Sequence, residues 1–192
     1  MDNSIKYEHK DLSNDTTQNP SISPISTIHS LDEKLPYICQ SICGVLGKKN
    51  LEATYQRALC IDLEEYGIEV NSEVSIDILY KNRVVGSRRA DLILTMPSKE
   101  LAIVELKAVS KLNSEHLKQL EYYMVHFDIA IGYLVNFPHE VGFPDIDDTK
   151  YAFVQVNLSN TNEYLSDRNI RSHVSDEPHI IKVMKDTVNN VD

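Results

Sequence analysis

The feature that most constrains the fold is a change of hydrophobic period along the chain. Two segments, at about 38–46 and 51–66, repeat apolar residues at helical spacing, and each is followed at once by a glycine, Gly47 or Gly67. From Val74 the period becomes two, which is the pattern of a strand with one buried face. Two helices that lead into a sheet predict a mixed α/β domain.

The segments after this change carry the rest of the predicted fold. Strand patterns occur over residues 74–80, 84–94, 101–107, 129–136 and 151–156. A helix that is capped by Asn113 or Ser114 and ends near His126 separates the third strand from the fourth. The predicted order is therefore three antiparallel strands, a crossover helix and a return to the sheet.

The two ends of the chain differ in composition from this core. Residues 1–31 are rich in Ser, Thr, Asn and Asp, so we expect a disordered arm that buries too little apolar surface to fold. Residues 158–192 are polar again, although the apolar residues at 180–188 could form a short helix docked on the domain. The folded domain is thus predicted over residues 32–157, with tails that could recruit protein partners.

Charge and cysteine content limit the classes of function. The chain carries 19 basic and 29 acidic residues, a net charge of −10, which argues against a basic coat for nucleic acid. Residues 36–136 carry 11 and 13, only −2, so most of the acidity lies in the tails. The longest apolar runs fall well short of the roughly 18 residues of a membrane span. Three cysteines in apolar segments, with no zinc spacing, indicate buried thiols and a soluble, intracellular protein.

The strand over residues 103–107 carries the most informative chemistry. Glu105 and Lys107 are two apart, so they share one face of the strand, opposite Val104 and Leu106. A hairpin to the preceding strand can place Asp91 beside Glu105. Two close carboxylates repel each other, and a divalent cation such as Mg²⁺ relieves that repulsion. The alternative is a solvated face with a surface ion pair.

Two helices add polar residues that could face the same sheet. Glu52 and Tyr55 share one face of the second helix, and His116, Gln119 and Tyr123 share one face of the third. Such residues suit a cleft that accepts phosphates. The alternative is that the tyrosines are edge residues of the core with satisfied hydroxyls and that Gln119 is merely exposed.

Taken together, these motifs resemble those of the GxxExxY proteins of the PD-(D/E)xK nuclease superfamily, over about residues 38–137. The matching segments are Leu51-Glu52-Ala53-Thr54-Tyr55, Arg89-Ala90-Asp91-Leu92, Ile103-Val104-Glu105-Leu106-Lys107 and Gly132-Tyr133-Leu134-Val135-Asn136-Phe137. The sequence departs from the family pattern at Lys49, where a second glycine is usual.

The resemblance implies a restriction-endonuclease-like α/β/α core with a mixed central sheet. It implies Asp91 and Glu105 as ligands of Mg²⁺ or Mn²⁺, with Glu52 as an accessory acidic residue at the metal. It implies Lys107 as the catalytic lysine, with Gln119 and Tyr123 as supporting residues of the cleft. The expected substrate is nucleic acid, DNA in preference to RNA.

Two functions of different classes remain open from the sequence. The first is a metal-dependent nuclease that hydrolyses phosphodiester bonds. The alternative is a catalytically silent module that binds nucleic acid or protein on the same fold. A small-molecule hydrolase ranks last, since the sequence has no glycine-rich phosphate loop, no serine nucleophile motif and no zinc-binding helix.

Overall fold

A computed structural model describes residues 23–48, 50–137, 152–157 and 178–185. The described residues form three helices and six strands: α1 (Ile28–Leu46), α2 (Glu52–Glu65), β1 (Glu69–Tyr80), β2 (Arg83–Thr95), β3 (Leu101–Lys107), α3 (Ser114–His126), β4 (Ile131–Asn136), β5 (Ala152–Asn157) and β6 (His179–Met184). None of these helices is long and apolar enough to cross a membrane.

The six strands form one mixed sheet in the order β1-β2-β3-β4-β6-β5. The first three strands are antiparallel neighbours, as predicted, and α3 crosses over so that β4 runs parallel to β3. Strand β6 is antiparallel to β4 and parallel to β5. The architecture is the α/β/α core with a mixed central sheet that the sequence predicts.

Local sequence sets the limits of the helices. Thr27 caps α1 in a reciprocal pair with Ser30, and Gly47 ends it with a positive φ of 73°. Asn113 caps α3 in the same way with His116, which confirms the predicted start of that helix.

The predicted N-terminal arm, residues 1–31, is wrong at its inner end. Helix α1 begins at Ile28, and Ile25, Ile28 and Leu31 are buried in the core. These residues are three apart and separated by polar ones, so the segment reads as polar although one helical stripe is apolar. Residues 1–22 lie outside the described residues.

The predicted C-terminal tail, residues 158–192, is wrong at 179–184. This segment is strand β6 and not a docked helix, and it lies in the sheet between β4 and β5. Its apolar residues Ile180, Ile181 and Val183 are buried. An interior strand reads as a continuous apolar run, and a short run of this kind does not separate strand from helix by period. Residues 158–177 and 186–192 lie outside the described residues.

The two faces of the sheet pack against different helices, and this division positions the charged residues of β3. Val104 and Leu106 join the core under α1 and α2, whereas Ile103 joins the core under α3. Because side chains alternate along a strand, Glu105 and Lys107 lie on the α3 face.

The free cysteines are buried or half-buried, and burial raises the pKa of each thiol.

Candidate active site

The C-terminal end of β3 carries a buried ion pair. The Glu105 side chain is fully buried, and Lys107 Nζ donates a hydrogen bond to Glu105 Oε1 at 2.8 Å. The other carboxylate oxygen, Oε2, is also buried and has no hydrogen-bond partner among the described residues. An unpartnered buried carboxylate oxygen is costly, so this atom is a place where a ligand would be bound favourably.

Asp91 lies where β2 separates from β3. The last paired residues are Leu92 and Val104, and the same register continued by one residue would set Asp91 opposite Glu105. At this point a side chain takes the place of a backbone acceptor between the strands: Asp91 Oδ2 accepts a hydrogen bond from the Leu106 N–H at 2.7 Å. The hairpin therefore brings Asp91 to the end of β3 that carries Glu105.

Three acidic side chains share the site with one lysine. Burial is the largest cause that raises the pKa values of Glu52, Asp91 and Glu105, and the Asp91 charge raises those of Glu52 and Glu105 further. The Lys107 ammonium opposes this in all three, and the pKa of Glu105 stands at about 7. Burial lowers the pKa of Lys107, but the acids, with Glu105 foremost, raise it overall, so the lysine keeps its proton. The site therefore sets three acidic groups against one ammonium.

Helix α3 supplies the wall of a cleft of about 380 Å³ beside this site. Gln119 Nε2 donates to the Tyr123 hydroxyl at 3.3 Å, and both residues line the cleft with Arg88, Glu115 and Lys118. Burial raises the pKa of the Tyr123 hydroxyl, the hydrogen bond from Gln119 opposes this, and the Glu105 and Asp91 charges raise it further. The cleft is therefore electrostatically coupled to the buried carboxylates.

His116 and Tyr55 both take part in contacts that hold the fold together. His116 Nδ1 accepts a hydrogen bond from the Asn113 N–H at 3.2 Å as part of the helix cap. The Tyr55 hydroxyl donates to the Gly47 carbonyl, and its ring stacks on Phe137 with centroids 4.5 Å apart. Tyr55 is thus held in the core, whereas the pKa of His116 is lowered first by burial and then by the Lys107 charge, so His116 also lies near the candidate active site.

A sequence model of the PD-(D/E)XK nuclease superfamily matches residues 29–146, more than half of the chain. The chain belongs to the PD-(D/E)XK nuclease superfamily. No curated protein and no solved structure matches the chain. Membership accounts for the observed fold, which is restriction-endonuclease-like.

Nucleases of the PD-(D/E)XK superfamily generally use divalent metal ions, and the residues at the end of β3 fit a hard cation. The donors are carboxylate oxygens, one of them buried and unpartnered, in a site with excess negative charge. Across the residues that the structure describes, no three His, Cys, Asp or Glu side chains converge closely enough to hold a metal by themselves. A cation here would therefore complete its shell with water or phosphate, as Mg²⁺ does.

A hydrogen-bond network that the sequence motifs do not indicate holds Asp91 from the α2 side. Gln56 Nε2 donates to the Asp91 carbonyl at 3.2 Å and to Glu73 Oε1 at 3.1 Å. Glu73 also forms an ion pair with Arg89 at 2.7 Å, and its backbone has a positive φ of 56°. Gln56 lies one turn after Glu52, so it shares that helix face, and this spacing was the available signal.

Asn136, which the sequence offers only as part of a matching segment, has a positioning role in the structure. It lies opposite Lys107 in the parallel β3–β4 register and is buried. Its side chain accepts from the Val109 N–H at 3.1 Å and donates to the Val109 carbonyl at 2.9 Å. Asn136 thus fixes the chain as it leaves Lys107.

Proposed function

We propose that this protein is a nuclease of the GxxExxY group that hydrolyses phosphodiester bonds with Mg²⁺ or Mn²⁺. The observation that carries this proposal is the Glu105 carboxylate, which is buried beside Asp91 with one oxygen on Lys107 and the other without a partner in the described part of the chain. A scaffold that only binds has no need of a buried, incompletely satisfied acid in a central strand. Nucleic acid, and DNA in preference to RNA, is the proposed substrate.

Asp91 and Glu105 would hold the cation, with Glu52 as an accessory acid at its edge. When bound, the cation supplies Lewis-acid stabilisation of the negative charge that develops on the phosphate. Both carboxylates are held in place by the fold, since Asp91 accepts a hydrogen bond from the Leu106 N–H and Glu105 accepts one from Lys107.

Lys107 has the role of orienting the attacking water and stabilising developing negative charge. Its ammonium stays protonated, and one of its three N–H groups is used by Glu105. Gln119 and Tyr123 line the adjoining cleft with Arg88 and Lys118, where they can bind phosphate oxygens of the strand.

A second candidate is a catalytically silent binding module. The observation in its favour is that no group of three metal-ligating side chains converges in the described residues. This module would bind nucleic acid through the same cleft without cleaving it.

The test is incubation of labelled single- and double-stranded DNA and RNA with Mg²⁺, Mn²⁺ or EDTA. We expect cleavage by the wild type with either metal and none in EDTA. Lys107→Met should be inactive, whereas Lys34→Met, an exposed lysine on α1, serves as the matched control and should be active. Equal cleavage by wild type and Lys107→Met would contradict the proposal. Binding of nucleic acid with no cleavage under any condition would favour the silent module.

A further inference from the structure

The paired part of β1 and β2 beyond β3, residues 74–90, forms a two-stranded ribbon. Its pairs run from Val74–Ala90 to Tyr80–Arg83, whereas β3 pairs with β2 only between Leu92 and Thr95. The ribbon is about 20 Å long at the rise of an antiparallel strand. It starts one residue from Asp91, so it projects directly from the candidate active site.

The base and the tip of the ribbon have different surroundings. At the base, Ile76 and Ala90 are buried in the core under α3, which fixes the direction of the ribbon. At the tip, four apolar side chains are 58–62% exposed: Leu79, Tyr80, Val84 and Val85. A register shift between Ile78 and Leu79 separates the two parts. The tip is therefore an exposed apolar surface on a fixed support.

Charge distinguishes the ribbon from the rest of the molecule. Residues 74–90 contain four basic residues and one acidic residue, a net charge of +3 in a chain of −10. The basic residues are Lys81, Arg83, Arg88 and Arg89, of which Arg89 is paired with Glu73, the residue just before the ribbon. Arg88 lines the cleft beside Tyr123, and Lys81 and Arg83 lie at the turn. Positive charge thus occurs at both ends of the ribbon.

We propose that this ribbon lies in the major groove of double-stranded DNA and holds the duplex against the active site, an inference that rests on the proposed function. A B-form major groove, about 12 Å wide, admits a two-stranded ribbon, with basic side chains on phosphates and apolar ones on base edges. Duplex RNA has a major groove too deep and narrow for this, and a single strand has no groove. Two copies of the chain that paired through their ribbons would bring two surfaces of net charge +3 together, and this repulsion argues against a second copy as the partner.

The binding test uses fluorescence anisotropy of the full chain in EDTA with a labelled 20-base-pair DNA duplex, its single strand and the equivalent RNA duplex. The ribbon variant is Lys81→Glu with Arg83→Glu, and the matched control is Lys34→Glu with Lys99→Glu, exposed lysines outside the ribbon. We expect the ribbon variant to bind duplex DNA at least about tenfold more weakly at ~100 mM salt, with a salt slope smaller by about 2. The control should lose no more than about threefold.

Three results would overturn the ribbon assignment. The first is equal weakening of duplex binding by the two double variants, and the second is equal affinity of the wild type for the DNA and RNA duplexes. The third is a wild-type dimer that the double variant Leu79→Ser with Val84→Ser dissociates while its affinity for DNA stays unchanged. Cleavage assays separate this inference from the proposed function. A wild type that cleaves DNA, with a ribbon variant of unchanged KM for the duplex, contradicts the ribbon alone. Loss of duplex binding by the ribbon variant, in a protein that never cleaves, supports the ribbon and contradicts the nuclease.

Discussion

Among the residues that the structure describes, the sheet buries two lysines, each paired with a carboxylate, and the two pairs differ in how many carboxylate oxygens have a donor. Lys107 lies 2.8 Å from Glu105, and Lys182 of β6 lies 2.6 Å from Asp32 of α1. Asp32 has its second oxygen occupied too, because the Tyr133 hydroxyl donates to it at 2.8 Å. Glu105 Oε2 is unpartnered within the described residues.

This difference separates a structural ion pair from the candidate active site. The Asp32 pair joins α1 to β4 and β6, and both carboxylate oxygens have donors within the fold. The Glu105 pair has two further acids, Asp91 and Glu52, close enough to shift pKa values, and it adjoins a cleft. Burial of charge alone does not indicate function, whereas excess charge with an unpartnered buried atom does.

The largest expected effect is on catalysis. Glu105→Gln should lower the single-turnover cleavage rate at least about a thousandfold, because it removes a charge from the proposed cation site. Asp32→Asn should leave the rate per folded molecule within about twofold, since its pair lies outside the site. A loss of similar size in both variants would break the distinction between the two pairs.

The next largest effect is on stability. Asp32→Ala should lower the free energy of unfolding by about 3 kcal/mol, because it leaves the Lys182 ammonium buried without its partner. Replacing both partners, Asp32→Leu with Lys182→Met, should recover most of that loss. Urea denaturation measures both. A cost below about 1 kcal/mol for Asp32→Ala would show that the pair does not join α1 to the sheet.

Gln56 gives a further test of the candidate active site, because it holds Asp91 in place. Gln56→Ala removes both hydrogen bonds that hold the Asp91 carbonyl and Glu73, so Mn²⁺ affinity should fall about tenfold, as for other residues that position metal ligands. Gln56→Glu keeps the length of the side chain but loses the donor and should not restore affinity. Arg57→Ala, at the exposed neighbouring position, is the control. Unchanged Mn²⁺ affinity in Gln56→Ala would contradict the positioning role.

The smallest expected effect is a gain of stability. Burial is the largest cause that raises the pKa of Asp91, and the Glu73 charge raises it further. Folding therefore favours the protonated form of Asp91. The stability that this contributes is present below the unfolded pKa and is lost as pH rises through the folded pKa. In EDTA, Asp91→Asn should therefore be more stable than wild type by about 1 kcal/mol at pH 8, with the difference vanishing near pH 4. A less stable Asp91→Asn at pH 8 would contradict the excess negative charge.

Local patterns in the sequence predicted the part of the candidate site that is formed by the β2–β3 hairpin. Asp91 and Glu105 meet because β2 and β3 are joined by a short turn, and alternation then sets Glu105 and Lys107 on one face. Capping residues such as Asn113 predicted the start of α3 for the same reason, since cap and helix are adjacent in the chain.

Contacts between distant segments were beyond those patterns. Strand β6 belongs to the sheet through its pairing with β4 and β5, and its short apolar run favours neither strand nor helix by itself. The Gln56–Glu73 hydrogen bond joins α2 to β1 across 17 residues, and Glu73 has a positive φ that its residue type does not indicate. The Asp32–Lys182 pair spans 150 residues.

The central claim is that the carboxylates of Asp91 and Glu105 hold a divalent cation, and Mn²⁺ binding measured by electron paramagnetic resonance tests it directly. We predict that the wild-type chain removes Mn²⁺ from the free pool, that Mg²⁺ competes, and that Asp91→Asn and Glu105→Gln each abolish this binding. Asp32→Asn, the matched change in the satisfied pair, should bind Mn²⁺ as the wild type does. Mn²⁺ binding of equal strength in Glu105→Gln, or none in the folded wild type up to several millimolar, would contradict the account.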